Sequence, residues 1–75
     1  MAKKIVGVSV FKGQQGVSNY EIGAEMKRKN ENGEFENLGM KVKNIILGKN
    51  SVEIVLTNKT SIFFRDLPIV VDYKL

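Results

Sequence analysis

Apolar and polar residues alternate along most of this 75-residue chain, and turn-forming residues interrupt the alternation at short intervals. A period of two is typical of strands, whose successive side chains point to opposite faces of a sheet. The clearest apolar sets are Val6, Val8 and Val10; Tyr20, Ile22, Ala24 and Met26; Leu38, Met40 and Val42; and Val52, Ile54 and Leu56. The sequence therefore predicts an all-β fold of five or six antiparallel strands with little or no helix.

The chain is short enough that its strands must share one core. We predict a single small β domain over residues 1–75, because this length is near the lower limit for independent folding. Between Val17 and Arg28 the apolar spacing fits a strand rather than a helix, so one long strand is predicted there. A small barrel or rolled sheet is favoured because closure removes exposed edges. OB-like and SH3-like barrels both fit this length.

The turn around Asn32-Gly33 permits two registers for the first long hairpin. A two-residue turn would place apolar side chains opposite polar ones, because a slip of one residue moves every side chain to the other face. A three-residue loop, Glu31-Asn32-Gly33, instead places apolar residues opposite one another. Its predicted pairs are Met26 with Leu38, Ala24 with Met40, Ile22 with Val42, and Glu21 with Lys43. We therefore predict the three-residue loop, with a left-handed Gly33 and a bulge beside it.

The aromatic residues and the last strand give further expectations. Phe63 and Phe64 are adjacent and must face opposite ways. We expect Ile54 and Phe63 in the core and Phe35, which lies in a polar neighbourhood, at an exposed hairpin tip. The last strand, residues 69–73, is apolar enough to be covered on both faces. It is also the natural edge for pairing with another chain.

The absence of cysteine and histidine excludes several kinds of chemistry. Without them there is no disulfide, no thiolate nucleophile, no Cys/His metal site and no imidazole acid–base catalyst. The carboxylates form no convincing acid–base pair either, so we predict no catalytic residues, no metal, no cofactor and no enzymatic activity. A small domain without disulfides is typical of the cytoplasm. No apolar run approaches the length of a membrane span, so no membrane association is predicted.

The basic composition indicates which partners to consider. Ten of the twelve basic residues are lysine, and the formal net charge is +4. The abundance of Lys, Asn and Ile suggests an AT-rich genome, such as that of a low-GC bacterium or its phage. A positive net charge permits binding to nucleic acid or to an acidic partner without demanding either.

One basic cluster is the strongest functional signal in the sequence. It comprises Lys27, Arg28, Lys29, Lys41 and Lys43. In the predicted register Lys27, Lys41 and Lys43 lie on one sheet face, where ammonium groups can follow a phosphate backbone. Tyr20 and Phe35 are the aromatic residues predicted to stack on bases. The competing interpretation is an ordinary solvated face whose charges are balanced by neighbouring glutamates.

Two functions follow as expectations. The first is a small nucleic-acid-binding protein, either single-strand binding or regulatory, that uses those seven residues. The alternative is a protein-interaction module, such as a phage-encoded inhibitor or a small subunit of an assembly, that acts through an edge strand. Under the alternative, residues 69–73 would form a homodimer or bind a partner strand.

Overall fold

The computed structural model describes residues 3–74 as two antiparallel sheets, one of which curls into a half-barrel. Its elements are β1 (Lys4–Phe11), a 3₁₀ turn (Gly13–Gln15), β2 (Val17–Glu21), β3 (Glu25–Lys29), β4 (Phe35–Gly48), β5 (Ser51–Leu56), β6 (Ser61–Arg65) and β7 (Ile69–Lys74). The predicted small all-β, barrel-like fold is confirmed. The described residues contain seven strands rather than the five or six expected.

The strands follow one another as a meander, and the last strand pairs with the first. One sheet has the order β2-β1-β7 and the other has the order β3-β4-β5-β6. Every ladder therefore joins chain neighbours except that between β1 and β7, the first and last strands. An OB barrel is a Greek key. The observed order is a meander and differs from that Greek key.

A sharp corner divides the segment that was predicted as one strand between Val17 and Arg28. The backbone N–H of Ile22 donates to the Val6 carbonyl at 2.9 Å, and that of Gly23 donates to the Val42 carbonyl at 2.9 Å. One hydrogen bond thus goes to each sheet. Gly23 has φ +90°, a conformation that costs glycine little. The single-strand prediction is wrong because the chain leaves one sheet and enters the other at this glycine.

The β3–β4 hairpin has the predicted three-residue loop. Asn30 donates its N–H to the Glu34 carbonyl at 2.8 Å, which leaves residues 31–33 as the loop. Gly33 has φ +81°, the predicted left-handed conformation. The Asn30 side-chain oxygen accepts hydrogen bonds from the backbone N–H groups of Asn32 and Glu34, each at 3.0 Å. The asparagine at the end of the strand therefore holds the loop in shape.

Replacing this asparagine tests the loop directly. Asn30→Ala removes an acceptor of two backbone hydrogen bonds, and we expect the free energy of unfolding to fall by about 1 kcal/mol, since a typical hydrogen bond contributes about 0.5–1.5 kcal/mol and this loop is exposed. Asn30→Asp retains the acceptor oxygen and should change stability by less. Urea denaturation of the three proteins measures the difference. Equal loss in the two variants would mean that the oxygen does not support the loop.

The predicted register holds only near the loop. Lys27 pairs with Asn37, Arg28 with Glu36 and Lys29 with Phe35, but Glu25 pairs with Lys41. Gly39, at φ +80°, lies in the irregular stretch where β4 has gained two residues relative to β3. The predicted pairs of Ala24 with Met40, Ile22 with Val42 and Glu21 with Lys43 are therefore wrong. An insertion of two residues preserves the facing of side chains, so the hydrophobic pattern could not reveal it.

The core lies between the two sheets. Its buried residues are Val8, Val10, Val42, Ile45, Val52, Ile54 and Leu56. Val8 and Val10 come from β1, and the others come from β4 and β5. Burial of a side chain of this size contributes about 1.5–3 kcal/mol before the opposing entropy is counted. The prediction that Ile54 is a core residue is confirmed.

The burial of side chains on β6 and β7 differs from what was predicted for each strand. Phe64 packs against the core, whereas Phe63 is 53% exposed. The core prediction for Phe63 is wrong because the inward face of β6 is the one that carries Ile62 and Phe64. Val70 is also 53% exposed, so β7 is covered on one face and not on both. β7 does lie at a sheet edge, as predicted.

Candidate nucleic-acid interface

An open groove of about 430 Å³ lies between β2 and β3. It is lined by Val17, Ser18, Asn19, Tyr20, Glu25, Met26, Lys27 and Phe35. The corner at Gly23 produces this groove, because it sends β2 into one sheet and β3 into the other. Three residues of the predicted site, Tyr20, Lys27 and Phe35, are brought together here although they come from three different strands.

The walls of the groove are strand edges. β2 pairs only with β1, and β3 pairs only with β4, within residues 3–74. Alternate backbone N–H and C=O groups of an edge strand therefore point away from its partner strand. The groove thus offers backbone donors and acceptors beside the side chains of Ser18 and Asn19. A ligand with planar rings and polar edges matches this mixture.

Tyr20 has a structural role as well as a place in the groove. Its side chain is half-buried and packs against the core. The centroid of its ring lies 6.0 Å from that of Phe64, with the planes tilted by 44°. Aromatic pairs at this separation stabilise the fold. Any ligand stacking on Tyr20 would therefore use the remaining part of a ring that already supports the core.

Phe35 is the most exposed large apolar residue of the described chain, at 72%. This agrees with the exposed position predicted for it. Phe35 lies directly opposite Lys29 in the β3–β4 ladder, and Lys27 lies two residues along the same strand. Residues two apart on a strand share a face. One exposed ring and two ammonium groups therefore lie on the same side of the hairpin.

Arg28 points to the opposite face of the hairpin. It pairs with Glu36, and its guanidinium nitrogen lies 3.5 Å from the glutamate oxygen. Both side chains are largely in solvent, so the ion pair contributes little to stability, on the order of 0–1 kcal/mol. This geometry separates Arg28 from Lys27 and Lys29.

Lys41 and Lys43 lie farther along β4, where the face is not purely basic. Lys41 is directly opposite Glu25, whose carboxylate accepts a hydrogen bond from the Asn37 side-chain amide. Lys43 is exposed at a bulge, where the β4–β5 register shifts between Val42 and Asn44. An acidic group therefore interrupts the predicted lysine face beside Lys41.

The part of the hairpin in which β3 and β4 pair carries no formal net charge. Residues 25–41 contain four basic residues (Lys27, Arg28, Lys29 and Lys41) and four acidic residues (Glu25, Glu31, Glu34 and Glu36). The net charge of +4 therefore comes from the rest of the chain. Electrostatic attraction at this hairpin is local, through the two lysines beside Phe35, rather than the field of a broad basic surface.

A second basic group, which was not predicted from the sequence, lies at the far end of the β1–β7 ladder. Lys4 is directly opposite Lys74, and the Lys3 ammonium nitrogen lies 5.9 Å from the centroid of the half-exposed Tyr73 ring. These residues are about seventy positions apart in sequence. Only the pairing of the first and last strands brings them together, and no local pattern indicates it.

The described chain shows few other chemical features. Among residues 3–74 there is no group of three or more acidic side chains placed to hold a metal ion. No helix in that range is long and apolar enough to cross a membrane. The chain matches no family model, and no curated protein or solved structure is significantly similar to it.

Proposed function

We propose that this protein binds single-stranded nucleic acid in the groove between β2 and β3. The observation that carries the proposal is the meeting of Tyr20, Phe35 and Lys27 in one open groove. Bases stack on Phe35 and on the accessible part of Tyr20, while Lys27 and Lys29 contact phosphates. Such binding tolerates many sequences, because every base has a face that can stack.

The balance of charge on the hairpin supports stacking as the main source of affinity. Stacking on an aromatic side chain contributes about 1–3 kcal/mol per base. Two lysine–phosphate contacts would give a salt slope of about −1.4, at roughly −0.7 per phosphate of a single strand. Binding is thus expected to weaken with salt much less than it does for proteins with many phosphate contacts.

A titration with a fluorescent oligothymidylate tests the proposal. Anisotropy measured at several salt concentrations should show saturable binding with a shallow slope of log affinity against log salt. Weaker binding to the corresponding duplex is expected, because paired bases cannot stack on Phe35. Absence of binding at low salt would rule the function out, and a steep slope would rule out the stacking mechanism.

Lys27 provides a test of the phosphate contacts. Lys27→Gln should weaken oligothymidylate binding and make the salt slope less negative by about one phosphate contact. Lys49→Gln removes the same charge in the turn between β4 and β5, at a residue that does not line the groove. The two proteins have the same net charge, so a difference between them isolates the position of Lys27. Identical salt slopes would contradict the assignment.

The composition indicates the compartment and the kind of organism in which this function is proposed. The lysine-rich chain without cysteine fits a cytoplasmic protein of a low-GC bacterium or its phage. A second candidate function, a protein-interaction module, is favoured by a different observation, the free edge of β7.

A further inference from the structure

We propose that β7 pairs antiparallel with β7 of a second copy of this chain, with the two-fold axis at Val70. The proposal does not depend on nucleic-acid binding. Within residues 3–74, β7 pairs with β1 and with no other strand. An edge strand with free backbone groups is a ready site for adding another strand.

The hydrogen bonds to β1 determine which backbone groups are free. The N–H of Phe11 donates to the Pro68 carbonyl at 2.9 Å, and the register then runs through Ser9 opposite Val70. Antiparallel strands alternate bonded and non-bonded pairs. Val70 and Asp72 therefore direct their backbone groups towards β1. Ile69, Val71 and Tyr73 direct theirs to the outer edge of the sheet.

β7 is the longest of the four sheet edges, with six residues against five in each of β2, β3 and β6. β3 carries Glu25, Lys27 and Lys29, and charged side chains discourage pairing along an edge. On β6 the Arg65 guanidinium lies 5.5 Å from the centroid of the Phe63 ring and places a charge over it. β2 is one residue shorter than β7 and lines the groove. β7 presents two half-exposed side chains: Val70, and Tyr73, whose ring centroid lies 5.9 Å from the Lys3 ammonium nitrogen.

The residues of β7 select one register. With the axis at Val70, the two Val70 side chains face each other, and Ile69 bonds with Val71 of the second copy. Ile69 and Val71 both have backbone N–H and C=O groups free at the outer edge of the sheet, as antiparallel pairing requires. The same register extends half-exposed Tyr73 past Pro68 towards exposed Leu67, which precedes the strand.

The neighbouring registers towards the C-terminal end of β7 are worse. An axis at Val71 places Val70 opposite Asp72 within β7, which sets an apolar side chain against a carboxylate, whereas an axis at Val70 places Asp72 opposite Pro68, which precedes the strand. An axis at Asp72 places the two Asp72 carboxylates opposite each other, and like charges directly opposite are destabilising. Self-complementarity of this kind is what a two-fold interface requires, since the same patch serves both copies. The product is one six-stranded sheet in the order β2-β1-β7-β7-β1-β2.

Light scattering on the purified 75-residue chain tests the dimer. We expect twice the mass of one chain at high concentration. Val70→Lys should return the mass to that of a monomer, because it places two ammonium groups opposite each other at the axis. Ile46→Lys and Phe63→Lys introduce the same charge at exposed positions of the other sheet and should leave the dimer intact. A monomeric parent protein would overturn the proposal, as would loss of the dimer in Phe63→Lys but not in Val70→Lys.

Cross-linking tests the register without relying on a disruptive charge. The chain has no cysteine, so a single introduced cysteine forms a disulfide only between copies. A non-hydrogen-bonded antiparallel pair has a Cα separation of about 4.5 Å, which suits a disulfide. Val70→Cys should therefore give a covalent dimer on oxidation, whereas Asp72→Cys should not. Cross-linking through Asp72→Cys alone, or through neither variant, would overturn the register.

Discussion

Ile54→Ala is expected to lower the free energy of unfolding by about 2–5 kcal/mol, the range for truncating a buried isoleucine. Ile54 is 0% exposed and lies on β5 with Ile45 and Ile62 on the two flanking strands. Small proteins have only about 5–15 kcal/mol of total stability, so a loss of this size removes a large share of it. Urea denaturation followed by circular dichroism measures it.

Two controls make this result specific to burial. Ile54→Val removes one methylene and should cost about 0.5–1.5 kcal/mol. Ile46→Ala makes the same truncation on the exposed face of β4, where a change within about 0.5 kcal/mol is expected. If Ile54→Ala and Ile46→Ala were equally destabilised, the two sheets would not pack over Ile54 as described.

Phe35→Ala is expected to weaken binding of oligothymidylate by about 5- to 150-fold. This range is the 1–3 kcal/mol of one base stack, converted at about 1.4 kcal/mol for each tenfold change. The free energy of unfolding should change by only about 0.5 kcal/mol or less, because the ring lies mostly in solvent. Fluorescence anisotropy and urea denaturation of the same preparation measure the two effects separately.

Phe63→Ala is the matched control for this experiment. Phe63 is also an exposed phenylalanine, but it lies on β6 and does not line the groove. Its removal should leave affinity unchanged. Equal losses in the two variants would indicate general adhesion to exposed rings, and no loss in Phe35→Ala would contradict stacking in the groove. Tyr20 is less suitable, because truncating it would also remove its contact with Phe64.

The sequence predicted the class of fold and the local geometry of one hairpin because both depend on short-range patterns. Alternation shows which side chains share a face, and the position of Gly33 distinguishes two loop lengths. The insertion at Gly39 escaped prediction because two extra residues leave that alternation unchanged. The corner at Gly23 escaped because its hydrogen bonds go to Val6 and Val42, which are distant in sequence.

The candidate site was only partly predictable for a related reason. Lys27, Lys29 and Phe35 are close in sequence, so their common face follows from the hairpin register. Tyr20 reaches the same groove from β2, and Val17 and Asn19 were not recognised as part of it. No periodicity specifies the distance between two strands that belong to different sheets. The neutrality of the hairpin could be read from the sequence once the hairpin's bounds were known.

The pairing of β1 with β7 has a consequence for the order of folding. The ladders from β3 to β6 join strands that are separated by short turns, so each ladder closes only a small loop. The ladder between β1 and β7 instead joins the two ends of the described chain and cannot form until residues 69–74 are available. Closing a longer loop costs more entropy, and contacts distant in sequence slow folding. On a ribosome the four-stranded sheet is expected to form first, with Val8 and Val10 joining the core only after β7 has emerged.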